Sequence, residues 1–190
     1  MNISARTISA RTVATGLVAA TGIALLAAGP VMIYEGVHGQ HEVTSQLSEQ
    51  LISFPAKGSA GLPAAQAAFA GRQVTTGPLA KSYADMIETH IKGATGGRTY
   101  SQVSAAASAA PTDTKLAGLK QTAFMGESLR GSLMGAYQAW EVTYLVEGLG
   151  VAFAGVGAVT LTVLGLTEAS RRKIHVPDTI AGLTTLKVKP

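Results

Sequence analysis

Residues 12–34, TVATGLVAATGIALLAAGPVMIY, run for 23 positions without a charge. About 20 such residues cross the hydrocarbon core of a bilayer. A second uncharged stretch, GLGVAFAGVGAVTLTVLGLT at residues 148–167, is halted by Arg171, Arg172 and Lys173. These two runs constrain the fold more than any other feature. Backbone in lipid must satisfy its own hydrogen bonds, so each run has to be a helix. A secretory signal peptide is the rival reading of the first, because Arg6 precedes an Ala-rich middle. Its best-placed cut, after Ala27-Ala28-Gly29, would leave Pro30 as the new first residue, and the run stays apolar beyond it. An uncleaved anchor is therefore expected.

The charges set the expected topology. The net charge is +4, yet residues 34–147 hold eight basic and nine acidic side chains, so the excess belongs to the two ends. Basic flanks stay on the cytoplasmic side. The chain is expected to leave the cytoplasm after residues 1–11, cross at 12–34, build an extracytoplasmic domain over 35–147, return at 148–167 and end in a cytoplasmic tail, 168–190. A plasma-membrane protein with both termini inside follows. Basic residues interleaved with aromatics, the footprint of a nucleic-acid surface, are absent, so no nucleic-acid partner is expected. Cysteine is absent too, which excludes disulfides, thiolate metal sites and cysteine nucleophiles.

Composition points to close helix packing. Hydrophobic residues make up 47% of the chain but aromatics only 5%, so the apolar weight lies in Ala, Val, Leu, Ile and many Gly. Small residues let helices approach closely in lipid. Gly16, Ala20, Ala24 and Ala28 recur every fourth position in the first run, and Gly150, Ala154, Ala158 and Thr162 in the second. Residues four apart share a helix face. These stripes are read as a packing contact, either of the two spans as a hairpin or with a partner. Tyr34, Tyr137, Trp140 and Tyr144 are read as anchors at the outer headgroup level, where amphipathic rings collect.

The expected fold class is all-α: two antiparallel spans extended into a small extracytoplasmic bundle, about four helices in total, the last very long. Val43, Leu47 and Leu51 carry the first helix to about Ile52, and Pro55 ends it. Residues 54–77, rich in Gly and Pro, read as a loop with one helical turn. Pro78 opens a helix ending near Gly93. Thr99 with Gln102 is a capping box for a short helix through Ala109. From Asp113 no proline intervenes until Pro177, so one helix of nearly 60 residues is expected. Gly126, Gly131 and Gly135 mark kinks or close contacts on it.

Chemistry-bearing residues are few. YEGVHGQHEV, residues 34–43, places Glu35, His38 and Glu42 on one helical face, with His41 turned partly away. These four are the candidate ligands for a loosely held surface zinc or iron. Solvated polar residues at the wet end of a span are the plainer reading. Tyr83, Met86, His90 and Phe124 are a candidate ligand groove. Glu127 with Arg130, and Asp85 with Glu88, are three apart, the spacing of salt links and solvated faces. Glu147 is an ionisable group close to lipid and so a functional candidate. A GxSxG nucleophile motif is absent, and GATGGR lacks the Lys-Ser/Thr of a phosphate loop.

Three stretches together, GRQVTTGPLAKSYADMIETHIK, GGRTYSQVSAAAS and FMGESLRGSLMGAYQAW, resemble a group of actinobacterial two-span membrane proteins without established function. The resemblance covers the central domain and both spans. It implies the two-span topology and carries over no catalytic residues. Members are often catalogued as "aromatic ring-opening dioxygenase", which would require iron held by histidines and a carboxylate. His175 falls in the cytoplasmic tail and His90 on an apolar face, leaving His38 and His41. The leading expectation is a non-catalytic envelope protein, an accessory or scaffold subunit or a small homo-oligomer. Its partners would be membrane lipid and another membrane protein or a second copy, with no cofactor. The alternatives are a membrane-bound metalloenzyme and an envelope lipid or small-ligand binder.

Overall fold

The computed structural model describes residues 10–174, with side chains to residue 171. Among the described residues the fold is all-α. Its helices are α1 (Ala10–Glu49), α2 (Gly77–Thr95), α3 (Tyr100–Ala109) and α4 (Thr114–Ile174), with a 3-10 turn at Ala64–Phe69. The last helix is very long, at 61 residues. Both α1 and α4 are long and apolar enough to cross a membrane. The chain divides into two compact units, one of Met1–Val31 with Leu149–Pro190, the other of Met32–Gly148.

In the first unit, glycines bring α1 and α4 together antiparallel. A Cβ added at Gly22 would meet Leu161 and Thr160, one at Gly29 would meet the Gly150 carbonyl and Ala154, and one at Gly157 would meet Leu26 and the Gly22 carbonyl. Rising numbers on one helix meet falling numbers on the other. The buried positions on α1 are Gly22 and Gly29, and on α4 Gly150 and Gly157, in each case seven residues apart. A seven-residue repeat drifts only about 20° around the helix per step. A four-residue step drifts about 40° at 3.6 residues per turn, so such a stripe soon leaves the contact.

This corrects the four-residue stripes as the line of contact between the two spans. Gly150 is buried and Ala154 touches Gly29, while Ala28 is half-buried. Gly16 has nothing near it, and Ala20, Ala24, Ala158 and Thr162 are exposed. Pro30 lies inside α1. It has no N–H to offer the Leu26 carbonyl, a loss that costs an ordinary helix interior about 3 kcal/mol.

The second unit holds a hydrophobic core of Leu47 from α1, Phe54 and Val74 from the connecting loop, six residues of α2 from Leu79 to Ile91, and Ala123 and Leu133 of α4. Helix α1 stops at Glu49, short of the expected Ile52, because Leu51 takes a left-handed conformation (φ 53°). The loop then pairs with itself. Phe54 N–H donates to Arg72 O at 2.9 Å and Val74 N–H to Ile52 O at 2.8 Å. Phe54 packs on Phe69 and, edge-on, on Tyr83, with ring centroids 5.4 and 5.1 Å apart.

Local chemistry accounts for most helix ends. Pro78 sits in the first turn of α2, where its missing N–H costs nothing. Helix α2 passes the expected stop at Gly93 and ends at Thr95, because Gly96 supplies the left-handed cap and Gly97 N–H donates to Lys92 O at 2.8 Å. In α3, Gln102 N–H donates to Thr99 Oγ1 at 3.3 Å and Thr99 N–H to Gln102 Oε1 at 2.9 Å, completing the capping box. Asp113 Oδ1 accepts from Lys115 and Leu116 N–H at the start of α4. Gly126 is a close contact, receiving the Ile91 side chain, whereas Gly131 and Gly135 have open space beside them.

Candidate functional site

The segment at residues 34–43 has two faces. Inward lie Gly36, Gly39 and Gln40. Gly36 makes room for the Glu147 side chain and the Thr143 carbonyl, and Gly39 for the Thr143 methyl group. Gln40 Nε2 donates to Glu147 Oε1 at 2.6 Å, a part-buried link from α1 to α4. Thr143 Oγ1 in turn donates to Trp140 O at 2.6 Å. The two glycines thus admit a carboxylate and a hydroxyl-bearing residue from the facing helix. The carboxylate has an amide partner, as a charge in apolar surroundings needs.

Outward lie Glu35, His38, His41 and Glu42, all exposed. The His38 ring stacks on Tyr34 at 6.1 Å, nearly parallel. Glu42 Oε1 accepts from Gln46 Nε2 at 2.9 Å. Among the described residues no group of three or more His, Asp or Glu side chains is placed to hold a metal ion. The four candidate ligands share an exposed surface but are not gathered on a point.

The candidate anchors separate. Tyr34 and Tyr144 are exposed and Tyr137 half-buried. Trp140 is only 8% exposed. Its ring packs where α2 begins, against Gly77, and stands edge-on to Tyr144 at 6.1 Å. The reading of Trp140 as a headgroup anchor is therefore corrected: it is a core residue of the second unit, and its buried indole N–H has no partner. The absence of a side chain at Gly77, distant in sequence, is what admits it.

The groove expected from Tyr83, Met86, His90 and Phe124 does not form as one surface. Met86 is in the core, Tyr83 packs on Phe54, His90 is exposed, and Phe124 is 51% exposed beside Tyr100. The spacing predicts His90 on the apolar face of α2. That face instead runs through Leu79, Ala80, Ala84, Ile87 and Ile91 and turns His90 outward. An open groove of about 410 Å³ lies elsewhere, where Val43 and Leu47 of α1, with Gln50 just past its end, face Leu129, Ser132 and Ala136 of α4.

A charge network ties α2 to α4. Arg130 reaches Glu88 at 2.8 Å and Glu127 at 3.3 Å, and Lys92 reaches Glu88 at 2.6 Å. The hydrogen bond from Lys92 and the positive charges of Arg130 and Lys92 hold the Glu88 carboxyl below its ordinary value of 4.5. A carboxylate whose folded value is lowered contributes stability above its unfolded value and loses it as the pH falls through the folded one. Glu88→Gln is therefore expected to lessen the drop in stability from about pH 5 to about pH 3. Denaturant titrations of both chains across that range check this, and identical acid limbs would refute it. The pairing of Lys81 with Asp85 at 2.8 Å raises the lysine, first through the hydrogen bond and then through the carboxylate's charge.

No protein-family model, curated protein or solved structure matches the chain. His175, expected in the tail, lies outside the described residues.

Proposed function

We propose that the chain is a two-span membrane protein of the cell envelope, of the actinobacterial group it resembles, and that it serves as a non-catalytic accessory, scaffold or oligomeric subunit. One observation carries the membrane assignment. In the first unit the surface facing away from the glycine seam carries large, apolar, uncovered side chains, with Leu17 and Leu166 each 65% exposed. Val13, Ile23 and Val31 on α1 and Val151, Val156, Val159 and Val163 on α4 continue that surface. Apolar area of this extent on a soluble monomer would be unusual, and in lipid it is the ordinary outer face of a helix pair.

The subunit role rests on the second unit. Its core is packed and its ion pairs are structural, so what it offers outside is a helical surface. The basic ends support a topology with both termini in the cytoplasm and the central domain outside. Alkaline carbonate extraction of native membranes is expected to leave the chain in the pellet. Protease added to intact cells stripped of their wall is expected to cut within residues 54–76. Mild-detergent extraction is expected to yield an assembly larger than one chain. Release by carbonate would remove the membrane reading, and a bare monomer in mild detergent would remove the subunit role.

A further inference from the structure

In the first unit, Arg11, Thr12 and Thr15 of α1 face Glu168 and Arg171 of α4 across a cleft of about 260 Å³. We propose that this cleft binds the phosphate of an anionic phospholipid headgroup. The inference rests on the reading of α1 and α4 as membrane spans.

Position comes first. The exposed apolar surface begins beside the cleft, at Val13 and Leu17 on α1 and at Leu166 on α4. The cleft therefore stands where hydrocarbon gives way to headgroups, the depth of the lipid phosphates. Charge comes second. Two guanidinium groups meet one carboxylate, and Arg171 Nη1 already holds that carboxylate, Glu168, at 3.0 Å. No described carboxylate forms an ion pair with Arg11. The lining thus carries one net positive charge, complementary to a phosphodiester monoanion. Guanidinium forks match phosphate oxygens in pairs.

The volume is roughly that of eight or nine waters at about 30 Å³ each, enough for a phosphodiester and its first glycerol carbons. Basic pockets at the cytoplasmic ends of paired spans are recurrent headgroup sites.

The test uses the full chain in nanodiscs of phosphatidylcholine with phosphatidylglycerol, released into native mass spectrometry. Retention of phosphatidylglycerol over phosphatidylcholine is expected. The Arg11→Gln, Arg171→Gln double variant is expected to lose retention by about thirtyfold, the effect of removing two arginines near an anionic surface. Lys115→Gln with Lys120→Gln, an equal change of charge outside the cleft, is expected to keep it. Glu168→Gln removes the competing carboxylate and is expected to raise retention, a gain that misfolding cannot mimic. Millimolar inorganic phosphate is expected to leave the lipid bound, since the acyl chains hold it; displacement would overturn the headgroup assignment in favour of free phosphate. A chain that enters the discs but shows no lipid preference, or a double variant that retains lipid like the wild type, overturns the site alone. A chain that will not enter the discs overturns the span reading with it.

Discussion

Gly157→Leu is expected to force the apolar helices apart. The new Cβ would fall 2.6 Å from Leu26 N, 2.7 Å from the Gly22 carbonyl oxygen and 3.0 Å from Leu26 Cα. All three are backbone atoms, so no side chain can swing away to make room. The remaining response is separation of α1 from α4, which forfeits the contacts along the seam. Overpacking of this kind costs about 1–3 kcal/mol and occasionally more. Gly16→Leu is the matched control, because that position has open space beside it. Denaturation by sodium dodecyl sulfate in mixed micelles, read by energy transfer between dyes on the two helices, should show a large loss for Gly157→Leu and little for Gly16→Leu. The reverse order would mean that the four-residue stripe, not the seven-residue seam, is the contact.

The junction of Gly77 and Trp140 carries the second large effect. Trp140→Ala empties a buried site, and such truncations cost about 3–5 kcal/mol. Gly77→Ala drives a methyl group into the Trp140 Cβ and Cγ, and overpacking costs about 1–3 kcal/mol. The two effects are expected to be far from additive. Trp140→Ala removes the clashes with Cγ and Cδ1 but keeps the Cβ, so Gly77→Ala should cost less in the Trp140→Ala background than in the wild type. Contacting residues show interaction terms of about 0.5–3 kcal/mol in such cycles. Urea titrations of the four full-length chains in one detergent, followed by helical circular dichroism, supply the cycle. Additive losses would show that the residues do not share one site.

What was legible in the sequence was what depends on neighbours along the chain. The absence of charge over residues 12–34 is enough to foresee a long apolar helix, and α1 contains it. Thr99 and Gln102 bond to each other across one turn, so their spacing foretold the box. Pro78 marked the opening of α2 for the same local reason. Other features depend on a second helix. Glu88 and Arg130 are 42 positions apart and meet only because α2 lies on α4. Gln40 finds Glu147 from 107 positions away. Gly93 and Gly96 both suit a helix end, and it is Gly96 that takes the left-handed cap, with Gly97 N–H bonded back to Lys92 O.

The His/Glu segment shows how both kinds of information combine. Spacing foretold that Glu35, His38 and Glu42 would share a face. It did not foretell that Gly36 and Gly39 hold the opposite face against Thr143 and Glu147. The small residues bear on packing, and the charged ones stand in the open beside Tyr34.

Trp140 is the single tryptophan of the chain. Its burial beside α2 makes the molecule's indole emission a reporter of one junction. Light from that ring should lie to the blue while α2 is seated and move to the red when water reaches the indole. The protein therefore carries its own optical gauge for the docking of α2 on α4, with no dye attached.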